Sequence, residues 1–202
     1  MLNARAWPLN AMSRKTIGVI AMRMRSLAIV FVVAAALPAA ATTVVYLDVD
    51  DLTERSNAVV RARVLERESR WDDEGRGIYT FTTVEVLSTL KGGGDETLVI
   101  RQLGGEVDGV GSLVAGDASF QVGEEVVVFL RRNPEDAVFH LVGLSQGKFS
   151  IDREGDQPLA LRNLSDLSVG RFEDGKWVSV HGETSSIGLE ELERAIADAV
   201  GE

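Results

Sequence analysis

The hydrophobic positions in the first half of the chain alternate with a period of two. In Ala58–Arg70, apolar residues alternate with arginines and glutamates, which is typical of a strand with one solvent-exposed face. Ile78–Leu90 predicts a second strand, rich in β-branched and aromatic residues. Its large apolar residues stand at odd positions at Tyr79 and Phe81 and at even positions at Val84 and Val86. A β-bulge near Thr82-Thr83 would produce this shift of the alternation by one residue. We expect Tyr79 to be buried inside a barrel.

Further apolar runs predict more strands, separated by glycine-rich breaks. Lys91–Asp95 contains three consecutive glycines, and Gly104–Gly111 contains four glycines in eight residues, which predicts a flexible loop. Val126–Leu130 is short and continuously apolar, as in a strand buried on both faces. The other predicted strands here are Thr97–Leu103, Phe139–Leu144 and Lys148–Ile151.

Two helices and a hairpin complete the pattern. The aspartates before Leu52–Ser56 can accept the free amides of a first helical turn, and Asn57 can end that helix. Asp174-Gly175 tolerates positive φ, so Phe172–His181 predicts a hairpin. Leu189–Val200 has apolar residues at spacings of three and four, which predicts an amphipathic closing helix. Its apolar stripe consists of Leu189, Leu192, Ile196 and Val200.

The first 41 residues have the pattern of a secretory leader. They contain five Lys and Arg and no carboxylate, and the apolar run Leu27–Leu37 precedes a proline and three alanines. Eleven apolar residues are too few to span a membrane, which takes about 20. Since Ala39 and Ala41 stand where signal peptidase reads small residues, we expect cleavage between Ala41 and Thr42 and a periplasmic or secreted product. Methionines just before the apolar run make residues 1–21 a candidate over-long gene start.

Composition excludes several classes of function. Residues 42–202 have the length of one domain, and removal of the leader changes the net charge from −10 to −15. We therefore expect no nucleic-acid binding and no membrane insertion after leader removal. The chain has no cysteine, which rules out disulfides and thiolate sites, and its only histidines are His140 and His181. We expect no metal and no cofactor.

A resemblance to known proteins rests on six segments: Arg55–Val64, Ile78–Val86, Leu90–Gly92, Gly104-Gly105, Gly123–Leu130 and Gly147–Phe149. These segments resemble a group of poorly characterised exported bacterial proteins. The opening hairpin is more distantly similar to netrin-like and metalloproteinase-inhibitor domains, which are OB-type five-stranded barrels. With the two helices, the resemblance implies a mainly β domain over residues 42–202, a small OB-like barrel, closed or partly open. Inhibitors of that kind use an N-terminal cysteine, so no inhibitory residue carries over.

One motif allows a catalytic hypothesis. Gly143–Gly147 matches G-x-S-x-G, and aspartates and then His181 follow in the chain order of α/β-hydrolases. Ser145 would be the nucleophile and His181 its base. That motif works where a sharp turn leads from a strand into a helix, whereas Lys148–Ile151 predicts another strand. The alternative is a glycine-bordered hairpin or bulge with no catalytic role.

Three acidic turns, Asp48–Glu54, Asp72–Gly77 and Asp152–Asp156, have oxygen ligands at spacings that do not match a calcium-binding loop. Solvated turn carboxylates are the simpler interpretation.

Candidate binding residues lie around the glycine-rich loop. Trp71, Arg101 and Gln102 could form an interaction face, because aromatic and arginine side chains are enriched at binding hot spots. Gly104 and Gly105 could let a partner's backbone approach closely, the alternative being a simple connection between strands.

The sequence thus favours an exported, non-catalytic module that binds another extracytoplasmic protein or a surface polymer. A serine hydrolase centred on Ser145 and a peptidase-inhibitor-like domain are the alternatives. The hydrolase requires Ser145, an aspartate and His181 to lie within hydrogen-bond reach.

Overall fold

The computed structural model describes residues 43–132, 137–173 and 175–201, and the fold is mainly β. The predicted leader, with its predicted cleavage site between Ala41 and Thr42, lies outside the described residues. Helix α1 spans Val49–Arg55 and helix α2 spans Leu189–Gly201. The strands are β1 (Thr43–Val45), β2 (Ala58–Trp71), β3 (Ile78–Lys91), β4 (Thr97–Leu103), β5 (Gly105–Val107), β6 (Val110–Ser112), β7 (Glu125–Arg131), β8 (His140–Leu141), β9 (Lys148–Asp152), β10 (Leu159–Asn163), β11 (Ser168–Glu173), β12 (Lys176–His181) and β13 (Thr184–Gly188).

Most strands belong to one antiparallel sheet in the order β13-β10-β9-β7-β2-β3-β4, with β8 paired to β7. A small sheet contains β1, β11 and β12, in which β1 runs parallel to β11. The pair β5 and β6 forms a third. The predicted mainly β fold is confirmed. No sheet closes into a barrel within the described ranges, so a closed barrel is not confirmed.

Strand β7 is buried on both faces, as its continuous apolar run predicts. Val126, Val128 and Leu130 pack in one core with inward residues of β2, β3 and β4. Val127 and Phe129 pack in a second core with residues of both helices. This strand therefore separates the two main cores.

Both predicted helices form. An N-cap hydrogen bond stabilises the start of α1, and the apolar side of α2 packs in the second core. Asp48 is the N-cap of α1, and its Oδ1 accepts a hydrogen bond from the Asp51 amide at 2.8 Å. Leu192 and Ile196 of α2 are fully buried in the second core. The buried part of the apolar stripe ends at Ile196, because Val200 is 46% exposed.

Three register shifts interrupt the pairing of β2 with β3: the extra residue is Leu90 or Leu87 of β3 in two of them, and it lies in β2 in the third, which is next to the predicted position. Val64 pairs with Val84 and Glu66 pairs with Thr83, so Leu65 is the extra residue. The first half of β3 keeps a regular alternation instead of the predicted one-residue shift. Its buried side chains are all at even positions: Ile78, Thr80, Thr82 and Val84.

Tyr79 and Phe81 consequently lie on the outer face of β3, and the prediction that Tyr79 is buried in a barrel is wrong. The Arg101 guanidinium lies 5.4 Å from the Tyr79 ring centroid, and the Arg70 guanidinium lies 4.0 Å from that of Phe81. Each ring is therefore covered by an arginine of a neighbouring strand.

The predicted flexible loop Gly104–Gly111 is instead mostly the β5–β6 hairpin. Its turn residues Asp108 and Gly109 have φ of 51° and 77°, as a tight hairpin turn requires.

Candidate functional site

The segment Gly143–Gly147 forms a tight turn rather than a hairpin or bulge. It contains one turn of 3₁₀-helix, Leu144–Gly147. Gly143 and Leu144 have positive φ angles of 72° and 61°. A Cβ on the first glycine would lie 2.8 Å from Leu47 Cδ1, and one on the last would collide with the Val142 carbonyl oxygen. The glycines are thus explained by backbone shape and close packing.

The buried polar residue of this turn is Gln146, which is 1% exposed. Its Oε1 accepts a hydrogen bond from the Leu47 amide at 2.8 Å, and its Nε2 donates to the Val45 carbonyl at 3.0 Å. The motif therefore attaches the segment between β1 and α1 to the rest of the domain. We call this arrangement the Gln146 clamp.

Arg162 of β10 completes the clamp from the other side. It is 4% exposed, and it donates from Nη2 to the Leu47 carbonyl at 2.6 Å and from Nε to the Gln146 carbonyl at 3.0 Å. Burial lowers the pKa of Arg162, while Tyr46 and Asp48 oppose that shift. Sequence reasoning missed both clamp residues, although an arginine between the apolar Ala160 and Leu164 was a visible signal.

The structure does not join Ser145 to His181. The Ser145 hydroxyl oxygen is buried and has no hydrogen-bond partner among the described residues. His181 is exposed at the end of β12 and pairs with Ser168 in the small sheet. The chain leaves the turn as strand β9, as predicted, rather than as a helix. No base contacts this hydroxyl among the described residues, and catalysis by Ser145 stays a prediction.

A polar cavity of about 240 Å³ lies beside Ser145. Lys148 and Ser150 of β9 line it, and they pair with Val128 and Val126 of β7, whose side chains lie in the first core. Paired residues project to the same face of a sheet, so two polar side chains extend the core-facing side of β7.

Glu124 holds these polar groups together. Lys148 Nζ donates to Glu124 Oε1 at 2.7 Å and to the Ser119 carbonyl at 2.6 Å, and Ser150 Oγ donates to Glu124 Oε1 at 2.6 Å. This network attaches the segment before β7 to β9 and forms one wall of the cavity.

The predicted binding residues Trp71, Arg101 and Gln102 do not share one surface. Trp71 is the last residue of β2 and is 42% exposed. Arg101 lies outward over the Tyr79 ring. Gln102 faces inward and donates from Nε2 to the Ala118 carbonyl at 2.8 Å. Their role in binding remains a prediction.

Gly104 and Gly105 bring strands of this chain close together. A Cβ on Gly105 would collide with the hydroxyls of Ser69 and Thr80, and Thr80 Oγ1 donates to the Gly104 carbonyl at 2.7 Å. This internal approach accounts for both glycines, and approach by a partner's backbone remains a prediction.

Sequence reasoning also missed an exposed aromatic pair on the small sheet. Phe172 and Trp177 pair across β11 and β12, each is 63% exposed, and their ring centroids are 5.7 Å apart in an edge-to-face arrangement. Two residues further along each strand, Gly170 pairs with Ser179 on the same face of the small sheet. Val45 of β1 is in register with Gly170 and is 52% exposed. Two aromatic residues flanking a predicted Asp-Gly turn were the signal available in the sequence.

The acidic turns are explained by turn chemistry. Side chains of Asp48, Asp72 and Asp152 each accept a backbone amide of the same turn, at 2.8, 2.6 and 2.8 Å. Within the ranges that the structure describes, no group of three His, Asp or Glu side chains is placed to hold a metal ion. In those same ranges, neither helix has the length and apolar character to cross a membrane.

No protein-family model matches the chain, and no curated protein matches it significantly. The basis for a functional proposal is therefore the geometry of the described residues.

Proposed function

We propose that the protein is an exported, non-catalytic binding module that binds an extended segment of another extracytoplasmic protein along β12. The observation that carries this proposal is the exposed Phe172–Trp177 pair beside the open edge of that strand. Export rests on the leader pattern of residues 1–41.

The exposed aromatic pair supports a binding surface because large aromatic side chains are costly to leave in water. Phe172 and Trp177 contact each other yet remain mostly exposed, and Val178 on the opposite face of β12 is 41% exposed. Exposed apolar patches of this kind mark interaction sites, and aromatic residues are frequent binding hot spots.

The open edge of β12 supports strand addition as the binding mode. Among the described residues β12 pairs with β11 alone, so one row of its backbone groups has no strand partner. Proteins usually protect such edges with charges, prolines or bulges. The interior of β12, Trp177–Val180, has none of these. An extended peptide can bind such an edge by backbone hydrogen bonds, with side-chain contacts giving specificity.

Charge defines the partner further. The predicted mature chain has a net charge of −15, which repels acidic segments. The partner segment is therefore expected to be neutral or basic, with apolar residues at alternate positions that contact the aromatic pair.

Selection from a library of short random peptides tests this proposal. We expect enriched peptides to alternate apolar and polar residues, and Trp177→Ala to weaken their binding at least about tenfold, as for a hot-spot residue. Trp71→Ala is the matched comparison, because it removes an exposed tryptophan from the surface predicted from sequence. Failure to enrich any peptide, or binding that depends on Trp71 and not on Trp177, would contradict the proposal.

The OB-like barrel is also proposed, as the architecture around the first core. Two observations support it. Phe139 exchanges backbone hydrogen bonds with Val99 and Arg101 of β4, both at 2.8 Å, and the adjacent β8 pairs with β7. A path through β7, β2, β3, β4 and the residues around Phe139 would surround the first core.

A peptidase-inhibitor-like function is a second candidate, favoured by Leu113. This residue follows β6 and is 95% exposed, as a residue offered to a protease pocket would be. Inhibition of a panel of proteases that is lost in Leu113→Asp would support it, and no inhibition would exclude it for that panel.

A further inference from the structure

We propose that an open cavity between β1 and the end of β7 binds a small carboxylate with a short aliphatic chain. The cavity has a volume of about 340 Å³. Its lining comes from β1, the end of α1, the end of β7 and the segment that leads from β8 into the Gly143–Gly147 turn. This site is separate from the β12 edge, and the inference does not depend on the proposed peptide binding.

Three basic side chains reach this cavity from three different elements, and they are Arg55, Arg131 and His140. Arg131 and His140 are paired across β7 and β8, so both project from the same face of the sheet. Arg55 is the last residue of α1. Among the described residues no Asp or Glu lines the cavity, although the predicted mature chain has a net charge of −15. A cavity lined by one sign of charge concentrates ions of the opposite sign, so this one selects an anion.

Arg131 is the group that would hold the anion. It is exposed, and it forms no ion pair with another described residue. Arg55 Nη2 lies 3.5 Å from Asp51 Oδ1, in an exposed and therefore weak pair. A guanidinium can donate two parallel hydrogen bonds to a carboxylate. Arg131 can do so without breaking an ion pair of the described structure.

Most of the remaining lining is aliphatic, and this selects a ligand with an alkyl chain. Val44 and Leu141 are half-buried, and Val45 is 52% exposed. They line the cavity together with the nearly buried Leu47 and Val142. Ligand pockets typically combine such apolar walls with a few polar groups that fix the orientation of the ligand. An alkyl chain would remove this aliphatic surface from water while its carboxylate binds the guanidinium.

The Gln146 clamp holds the walls of the cavity in place. Gln146 accepts from the Leu47 amide at 2.8 Å and donates to the Val45 carbonyl at 3.0 Å. A Cβ on Gly143 would lie 2.8 Å from Leu47 Cδ1, so the two walls also touch directly at this glycine. The cavity is therefore formed before a ligand arrives. A preformed site binds more tightly, because less conformational freedom is lost on binding.

Volume and charge limit the ligand further. A cavity of about 340 Å³ is at the lower end of the roughly 300–1,000 Å³ that is usual for ligand pockets. One available guanidinium, with Arg55 already shared with Asp51, balances a single negative charge. This favours a carboxylate over a doubly charged phosphate ester. Hexanoate has the required size, charge and aliphatic chain.

Hexanoate is therefore the probe, and its comparisons are acetate, which lacks the chain, and hexanamide, which lacks the charge. In calorimetry and saturation-transfer NMR on the purified protein, hexanoate should bind at least about tenfold more tightly than either, because it alone uses both the guanidinium and the aliphatic wall. The proposal is overturned if acetate or hexanamide binds equally well, or if hexanoate gives no signal at millimolar concentration.

Arg131→Gln should weaken hexanoate binding by at least about tenfold, and Arg67→Gln is the matched control. Arg67 is another exposed arginine of the same sheet. It lies toward the far end of β2, whose first residue, Ala58, pairs with Leu130 beside the cavity. Its removal should leave the affinity unchanged. An Arg131→Gln protein that is folded by thermal unfolding and binds hexanoate like the wild type would overturn the proposal.

Two further variants locate the bound hexanoate. Trp177→Ala should not change the affinity, and a loss of binding would place hexanoate on the β12 surface instead, against this proposal. Glu135 and Asp136 lie outside the described residues. The double variant Glu135→Gln, Asp136→Asn should bind hexanoate like the wild type. If only this double variant bound hexanoate, the chain's own carboxylates would occupy the site, and the proposal would be wrong.

Discussion

The Gln146 clamp allows a sharp test with Gln146→Met, which keeps the side-chain length and removes both hydrogen bonds. The Leu47 amide is buried with this bond, so losing it leaves an unsatisfied donor, at a cost of about 1–3 kcal/mol. The bond to the Val45 carbonyl is only partly buried, so water can replace part of it. We therefore expect the free energy of unfolding to fall by about 2–4 kcal/mol.

Urea denaturation followed by circular dichroism measures this change, and hydrogen exchange of the Leu47 amide locates it. The control is Ser145→Ala in the same turn. Because the Ser145 hydroxyl has no partner, its removal should change stability by less than about 0.5 kcal/mol. If Gln146→Met were as harmless as this control and the Leu47 amide stayed protected, the clamp would not stabilise the N-terminal segment.

Three further predictions concern other parts of the molecule. Leu192→Ala should destabilise the protein by about 2–5 kcal/mol, whereas Val200→Ala on the same helix should cost less than about 0.5 kcal/mol; equal losses in urea denaturation would contradict the packing of α2. A hydrogen bond from Arg153 lowers the pKa of Glu125, so this pair stabilises the fold above the ordinary glutamate pKa of about 4.3 and the contribution disappears as the pH falls through the lowered value. The stability difference between wild type and Arg153→Ala should therefore be present at neutral pH and vanish in acid, and a pH-independent difference would refute it. N-terminal sequencing of the exported protein should show cleavage after Ala41, and a start well upstream of the apolar run would exclude that site.

The strands with strong alternation or continuous apolar character were predictable from sequence. Thr97–Leu103 has the predicted bounds, and β2, β3, β7 and β9 begin or end within one residue of the predicted positions. The closing helix also forms as its spacing indicates. In these segments local propensity and burial agree, so the period of the pattern identifies the element.

The rest depended on contacts between distant residues. Strand β10 contains the buried Arg162, whose charge hides the apolar pattern until its carbonyl partners are known. The buried face of β3 carries Thr80 and Thr82, while its aromatic residues lie outside under arginines. Polarity alone assigns both faces of β3 wrongly, because the Thr80 hydroxyl is satisfied by hydrogen bonds inside the fold and arginine side chains cover the outer aromatic rings.

The polar cavity was not predictable for a similar reason. In the sequence, Lys148 and Ser150 have the pattern of the solvent-exposed side of a strand. Only their register with Val126 and Val128 shows that they lie on the side of the sheet that faces a core. The G-x-S-x-G spacing drew attention to the turn Gly143–Gly147 but not to Gln146, whose side chain forms the hydrogen bonds that attach this turn to Leu47 and Val45.

The Gln146 clamp also constrains the order in which the chain can fold. Its bonds join residues 99 and 115 positions apart, and the neighbouring β1 can pair only after β11 has been synthesised. Contacts of such long sequence separation close large loops and form slowly. The segment that directly follows the predicted leader is therefore expected to be among the last to fold. In the proposed export, this segment would stay extended until most of the chain had crossed the membrane, and Leu47 would be among the last residues to join the second core.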